Sequence, residues 1–160
     1  MPQLHQQIVS TEGLLEDLPS DFRKCPGFLG NFGFRIYGNA YGKSFGKLPR
    51  SLGMLARQMG ALHPEQQFTT AFLQRYDTGH EVLLHRDPRN NVGHTVITTF
   101  GDYDGAVTTL YTEEGKQILT LRPGDVFSLE CTIGGKQGLP HEVSRVTRGT
   151  RFALILNTII

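Results

Sequence analysis

Nothing in this 160-residue chain approaches the roughly 18 consecutive apolar residues that a membrane-spanning helix needs, so no span is expected. Cysteine is scarce too. Cys25 and Cys131 are the only two, and a chain able to bury roughly two-thirds of its unfolded surface needs no disulfide framework. Free thiols in a reducing compartment are the expectation. Met1 to Ser10 (MPQLHQQIVS) has neither a basic n-region nor an apolar h-region, so an intracellular place, cytoplasmic or nuclear, is expected. Repeats, linkers and low-complexity tracts are also missing, and the length fits one domain over residues 1–160.

Charge of one sign is missing locally. Residues 1–21 carry Glu12, Glu16, Asp17 and Asp21 and no Lys or Arg. Residues 22–64 carry seven Lys or Arg and no acid, while the rest of the chain is nearly balanced. A basic segment inside a protein of net charge +1 is either a solvated face or a surface for phosphates.

Two short helices are expected early. Thr11 caps a segment through Leu18 that Pro19 closes, and a second runs from Pro49 or Ser51 to Gln58, stopped by Gly60. Residues 26–47 between them, studded with Gly, Phe and Tyr, suit strands and turns. Residues 1–66 therefore read as N-terminal helices with a basic, aromatic lid, and residues 67–160 as a β core. Its candidate strands are 68–76, 81–86, 94–100, 105–112, 116–121, 126–130, 141–146 and 151–158. Turn signals separate them, including Gly101 to Gly105, Pro123-Gly124-Asp125 and Arg148-Gly149. Such spacing predicts a sandwich or jelly roll.

One constellation carries chemistry. His85-Arg86-Asp87 is followed 54 residues after Asp87 by His141, and ten residues later by Arg151. Residues i and i+2 of a strand share a face, so His85 and Asp87 can reach one ion while Arg86 points away. Two imidazoles and one carboxylate leave open positions on an octahedral metal, which suits iron(II). The zinc-protease pattern fails by one residue, because His80 and His85 are five apart where a helix needs four. His94 reads as a satisfied polar residue or a substrate-pocket residue, and His5, His63 and His80 as surface turns.

On the motif His-x-Asp…His…Arg over residues 68–158, the chain resembles the iron(II)/2-oxoglutarate-dependent dioxygenases. The resemblance implies a double-stranded β-helix (a jelly roll), mainly β with short N-terminal helices. It implies His85, Asp87 and His141 as catalytic iron ligands, with iron(II), 2-oxoglutarate and O2 as cofactor and co-substrates. Arg151 would bind the distal carboxylate of 2-oxoglutarate through a two-bond fork, with Tyr76, Gln74 and Asn157 beside it. Gln74-Arg75-Tyr76 resembles the Asn-Arg-Tyr of the AlkB branch, but Asn157 stands where that branch carries a second Arg.

The segment Arg35-Ile36-Tyr37-Gly38 resembles the region before the core in AlkB-type demethylases. His85 to Asn90 with Phe100 to Gly105 resembles the TET/J-binding-protein branch, although Gly105-Ala106 replaces paired glycines. Both branches modify nucleic acids. The leading expectation is oxidation of a methyl group on a nucleobase, with DNA or RNA as partner and Arg35, Tyr37, Arg86, Arg89 and His94 near the substrate. Cations would hold phosphates and aromatics would stack a base. The alternative is a hydroxylase of a small molecule or of a protein side chain, prolyl hydroxylase-like.

Overall fold

A computed structural model describes residues 3–8, 10–16, 18, 34–40, 43–44 and 49–160, with the backbone alone for 3–8, 34–40 and 43–44. Among these residues are twelve strands and one helix. In chain order they are β1 (Gln3–Ile8), β2 (Phe34–Ala40), β3 (Lys43–Ser44), α1 (Arg50–Gly60), β4 (Thr70–Asp77), β5 (Val82–His85), β6 (Asn91–Phe100), β7 (Tyr103–Gly105), β8 (Thr108–Thr112), β9 (Gly115–Leu119), β10 (Asp125–Glu130), β11 (His141–Val143) and β12 (Val146–Ile159). Two antiparallel sheets form. The larger runs β1-β10-β6-β12-β4-β2-β3, with β7 also paired to β12, and the smaller runs β5-β11-β8-β9. This is the expected jelly roll.

Alternation along the strands of the larger sheet sorts side chains onto two faces. Leu73, Val96, Phe100, Val126, Phe152, Leu154 and Leu156 turn to one side and pack with Leu52, Leu55 and Met59 of α1. Each such side chain, fully buried, contributes about 1.5–3 kcal/mol. α1 is amphipathic, and Pro49 precedes it, a residue whose fixed φ suits a helix start. The other face carries Phe72, Gln74, Tyr76, Thr95, Ile97, Phe127 and Leu129, which look across a cavity toward the smaller sheet.

Several expectations need correction. No helix forms over residues 11–16. Gly13 has φ +78°, outside the helical region, and the segment closes instead as turns (Leu14 N–H to Thr11 O, 3.3 Å), though Leu14 and Leu18 still reach the core. Strand β1, not anticipated, pairs with β10. The expected strand 105–112 splits, because Gly105 and Ala106 both have positive φ (83° and 55°). Tyr103–Gly105, expected as turn, pairs with β12.

Arg148-Gly149 is no turn either. It lies inside a 14-residue strand, paired in register with Asp104 and Tyr103, and the irregularity falls just before it, between Val146 and Arg148. Gly149 lies at φ +77°, and a Cβ there would stand 2.0 Å from the Asp102 carbonyl oxygen. His63, expected on the surface, is 5% exposed and bonds Ser128 Oγ through Nε2 at 2.7 Å. Cys25 lies outside the described residues.

Two glycines therefore respond oppositely to a methyl group. Gly149→Ala is expected to destabilise by at least about 2 kcal/mol through strain and backbone collision. Gly53→Ala, in the interior of α1 with open space around it, is expected to stabilise by about 0.5–1 kcal/mol. Urea unfolding midpoints of the two variants check both.

Candidate metal centre and co-substrate cavity

The two sheets enclose a cavity of about 370 Å³ whose walls are largely apolar, among them Phe72, Ile97, Leu110, Phe127 and Leu129. Its mouth carries the metal-ligand candidates. His141 on β11 lies directly opposite His85 on β5 in the antiparallel register, so the imidazoles are neighbours with ring centroids 4.4 Å apart. Asp87 follows β5 in a loop, where a continued strand was expected. The three donor atoms lie within 4.8 Å of one another.

Local backbone sets the histidine tautomers. His85 Nδ1 bonds the Leu83 carbonyl at 2.7 Å, and His141 Nδ1 bonds the Leu139 carbonyl at 2.9 Å. A carbonyl only accepts, so each Nδ1 carries the proton and each Nε2 faces inward, as a metal ligand requires. Both Nε2 atoms converge on one oxygen, Asp87 Oδ1, at 3.3 and 3.5 Å. Burial alone would raise the Asp87 carboxyl, but hydrogen bonds and charge from His141 and His85 outweigh it and hold the group well below the usual carboxylate range. The same bond to Asp87 pushes His85 upward, against burial and with help from the Leu83 carbonyl. Two imidazole nitrogens and a carboxylate oxygen thus face one point, a donor set that could hold a metal ion.

Deeper in, β12 contributes Arg151, Ala153, Ile155 and Asn157 to the cavity, opposite Tyr76, Gln74, Phe72 and Thr70 of β4. Arg151 is 4% exposed, lies over the Tyr76 ring at 4.9 Å, and makes no salt bridge among the described residues. Its Nε is buried with no hydrogen-bond partner. Leaving a guanidinium donor unpaired in such surroundings costs free energy, and an anion in the cavity would recover it. Ala153 is small enough to leave room there. Gln74 and Asn157 also line the cavity, and Thr70 Oγ1 bonds the Asn157 side-chain oxygen.

The remaining candidates fall differently. Arg86, expected to point away, borders the cavity while its guanidinium donates to the Gly138 carbonyl at 2.6 Å. Arg89 donates to the Gly135 carbonyl and lies outside the cavity lining. His94 does not line this cavity. Alternation points Thr95 into the cavity and His94 to the opposite face, where it stacks on His63 at 4.2 Å while Gln66 holds its backbone. Arg35 and Tyr37 are known by backbone position alone, on β2 opposite Gln74 and Leu73.

Sequence reading missed the residues that grip Asp87 from behind. Gln137 Nε2 donates to the Asp87 carbonyl at 2.6 Å, and Cys131 Sγ lies 3.4 Å from Asp87 Oδ2. Neither spacing has a local signal, since the partners are 50 and 44 residues apart.

No protein-family profile matches the chain, and no curated protein matches it. Solved structures do share its fold. A Pseudomonas putida prolyl-4-hydroxylase superposes with TM-score 0.63 at 12% identity, over 84% of this chain and 76% of that one. A viral collagen prolyl hydroxylase from Paramecium Bursaria Chlorella virus-1, in complex with 2OG, gives 0.61 at 10% identity, covering 81% of each. A Burkholderia pseudomallei oxidoreductase of the 2OG-Fe(II) oxygenase family gives 0.51 at 18% identity over 58% of this chain, which spans only 44% of that protein's length. At these identities the likeness establishes a common fold, the jelly roll used by 2OG-Fe(II) oxygenases. Among the described residues no helix is long and apolar enough to cross a membrane.

Because a proton on His85 Nε2 competes with a metal, apparent affinity for a divalent ion should rise with pH. The slope is about tenfold per unit for each proton displaced, flattening above a pH higher than an ordinary histidine's value. Calorimetric titration with cobalt(II) between pH 6 and 8 checks this; a flat profile would contradict the protonated His85–Asp87 pair.

Proposed function

We propose that this chain is an iron(II)- and 2-oxoglutarate-dependent dioxygenase that hydroxylates a C–H bond of a protein side chain or small molecule. The observation that carries the reading is the pairing of two features in one cavity. A His85–Asp87–His141 donor set sits at its mouth, and inside sits Arg151, whose buried Nε has no hydrogen-bond partner among the described residues. Two neutral imidazole nitrogens and one carboxylate oxygen suit iron(II) and leave positions for a co-substrate and O2. When bound, iron would activate O2, and 2-oxoglutarate, leaving as succinate and CO2, would supply half of the electrons that O2 takes up, the hydroxylated C–H bond supplying the rest.

The chain's own groups position and shield. Arg151 binds the distal carboxylate of 2-oxoglutarate, its fork giving two parallel bonds. Tyr76 packs under that guanidinium, and Gln74 and Asn157 complete the polar end of the cavity. The apolar walls exclude water from the reacting centre and strengthen every electrostatic contact within it. Arg86, at the border, is placed to meet the substrate's exposed part.

Two of the solved structures with this fold are described as prolyl hydroxylases, which favours the protein-side-chain or small-molecule reading over methyl-group oxidation on DNA or RNA. Of the residues named for a nucleobase substrate, Arg86 lines the cavity, Arg89 and His94 stand outside its lining, and the side chains of Arg35 and Tyr37 lie outside the described residues.

Succinate formation from 2-oxoglutarate with iron(II) is the direct test. Stimulation by proline-containing peptides or small molecules, and none by methylated oligonucleotides, is the expected result; the reverse would restore the nucleic-acid reading. Arg151→Ala is expected to raise the 2-oxoglutarate requirement roughly 30-fold or more, as losing one half of a buried charge pair costs about 2–5 kcal/mol. An unchanged requirement would remove Arg151 from the co-substrate site.

A further inference from the structure

The two oxygens of Asp87 have different surroundings. Oδ1 faces both imidazoles, at 3.3 and 3.5 Å, whereas Oδ2 faces backward onto the thiol of Cys131 at 3.4 Å. Cys131 follows β10 and is 3% exposed. Its thiol is the donor of that contact, with the carboxylate oxygen as acceptor.

That thiol is itself held. Thr95 Oγ1 lies 3.1 Å from Cys131 Sγ, and Asn91 Nδ2 donates to Thr95 Oγ1 at 3.2 Å. All three residues are at least nine-tenths buried. Only one direction satisfies the chain. An ionised carboxylate accepts but cannot donate, so the S–H points at Oδ2. The sulfur then accepts from the Thr95 hydroxyl, and that hydroxyl oxygen accepts from the Asn91 amide. The competing acceptor for the thiol, the Leu129 carbonyl, is farther at 3.7 Å and uncharged. Aligned bonds of this kind polarise one another in a low-dielectric interior, which compensates for the weakness of a single S–H donor.

We infer that Asn91, Thr95 and Cys131 are positioning residues, a one-directional hydrogen-bond relay that holds Asp87 Oδ2 back and presents Oδ1 as a single-oxygen metal ligand. Were Oδ2 free to swing forward, the carboxylate would occupy two coordination positions and close one that a co-substrate or O2 needs. The relay thus protects an open position, and Gln137 holds the same residue by its backbone carbonyl. The inference rests on the proposed metal site at His85, Asp87 and His141.

Cobalt(II) alone, added to the full chain, is the probe, read by its dissociation constant and by its visible absorption, which reports coordination number. Cys131→Ala and Thr95→Val are expected to weaken cobalt binding roughly 10- to 100-fold, the usual effect of losing a partner behind a ligand. They should also change the cobalt absorption, because the second carboxylate oxygen enters the coordination shell in place of another ligand. Cys131→Ser keeps a donor and should restore both readouts. Thr95→Val, isosteric and one step removed, carries the test if Cys131→Ala does not fold. Parent-like affinity and spectrum in both variants, with Asp87→Ala abolishing binding, would overturn the relay while leaving the metal site intact. Cobalt binding that survives Asp87→Ala, or no binding by the parent, would overturn the metal site and the relay with it.

Discussion

Strand β12 sits at the centre of the larger sheet, bonded to β4 on one side and to β6 on the other. Its period-two alternation is the constraint on which the molecule depends. Phe152, Leu154 and Leu156 go to the helix side, and Arg151, Ala153, Ile155 and Asn157 go to the cavity. A slip of one residue would drive a guanidinium into the apolar core and put three large apolar side chains in the cavity. The core and the Arg151 end of the cavity, proposed to hold the co-substrate, are therefore specified by the same hydrogen bonds. Stability and function are two faces of one register.

The metal end depends on a second pairing. β5 and β11 are short, but their register sets His85 against His141, and each ring is aimed by a carbonyl two residues back in its own chain. The positioning is thus mostly local and backbone-made, which tolerates little drift. Asp87 completes the set from a loop, where no strand register holds it. Its hold comes from Gln137 on the backbone and Cys131 on the carboxylate. Arg86 and Arg89 add ties from this loop to the carbonyls of Gly138 and Gly135.

How much was legible in the sequence varies with how local each signal is. The strands of the core were readable because their inward and outward residues alternate and Gly-rich turns interrupt them. α1 was readable because Leu52, Leu55 and Met59 recur at helical spacing. The Arg148-Gly149 turn misled, because glycine marks a positive φ without saying whether a chain reverses there or only bulges. Gly149 stays within the strand, paired with Tyr103, and its missing Cβ lets the Asp102 carbonyl approach. The segment over residues 11–16 misled in the opposite sense, since its leucines have helical spacing but Gly13 leaves the helical region. His63 looked like a surface histidine because nothing near it in sequence announces Ser128, 65 residues away.

By itself the sequence determined the chemistry on offer: the donor types and spacings of His85, Asp87 and His141, and the arginine ten residues beyond. It also determined which faces of each strand are apolar, and hence the jelly roll. These are properties of residue identity and short-range period. Only the tertiary structure decided that Arg151 is buried with its Nε unpaired among the described residues, that His94 faces away from the cavity, and that a thiol stands behind Asp87. Each depends on groups far apart in the chain being brought within hydrogen-bond distance, or kept from it. Pairing register sets such distances, and no local pattern encodes them.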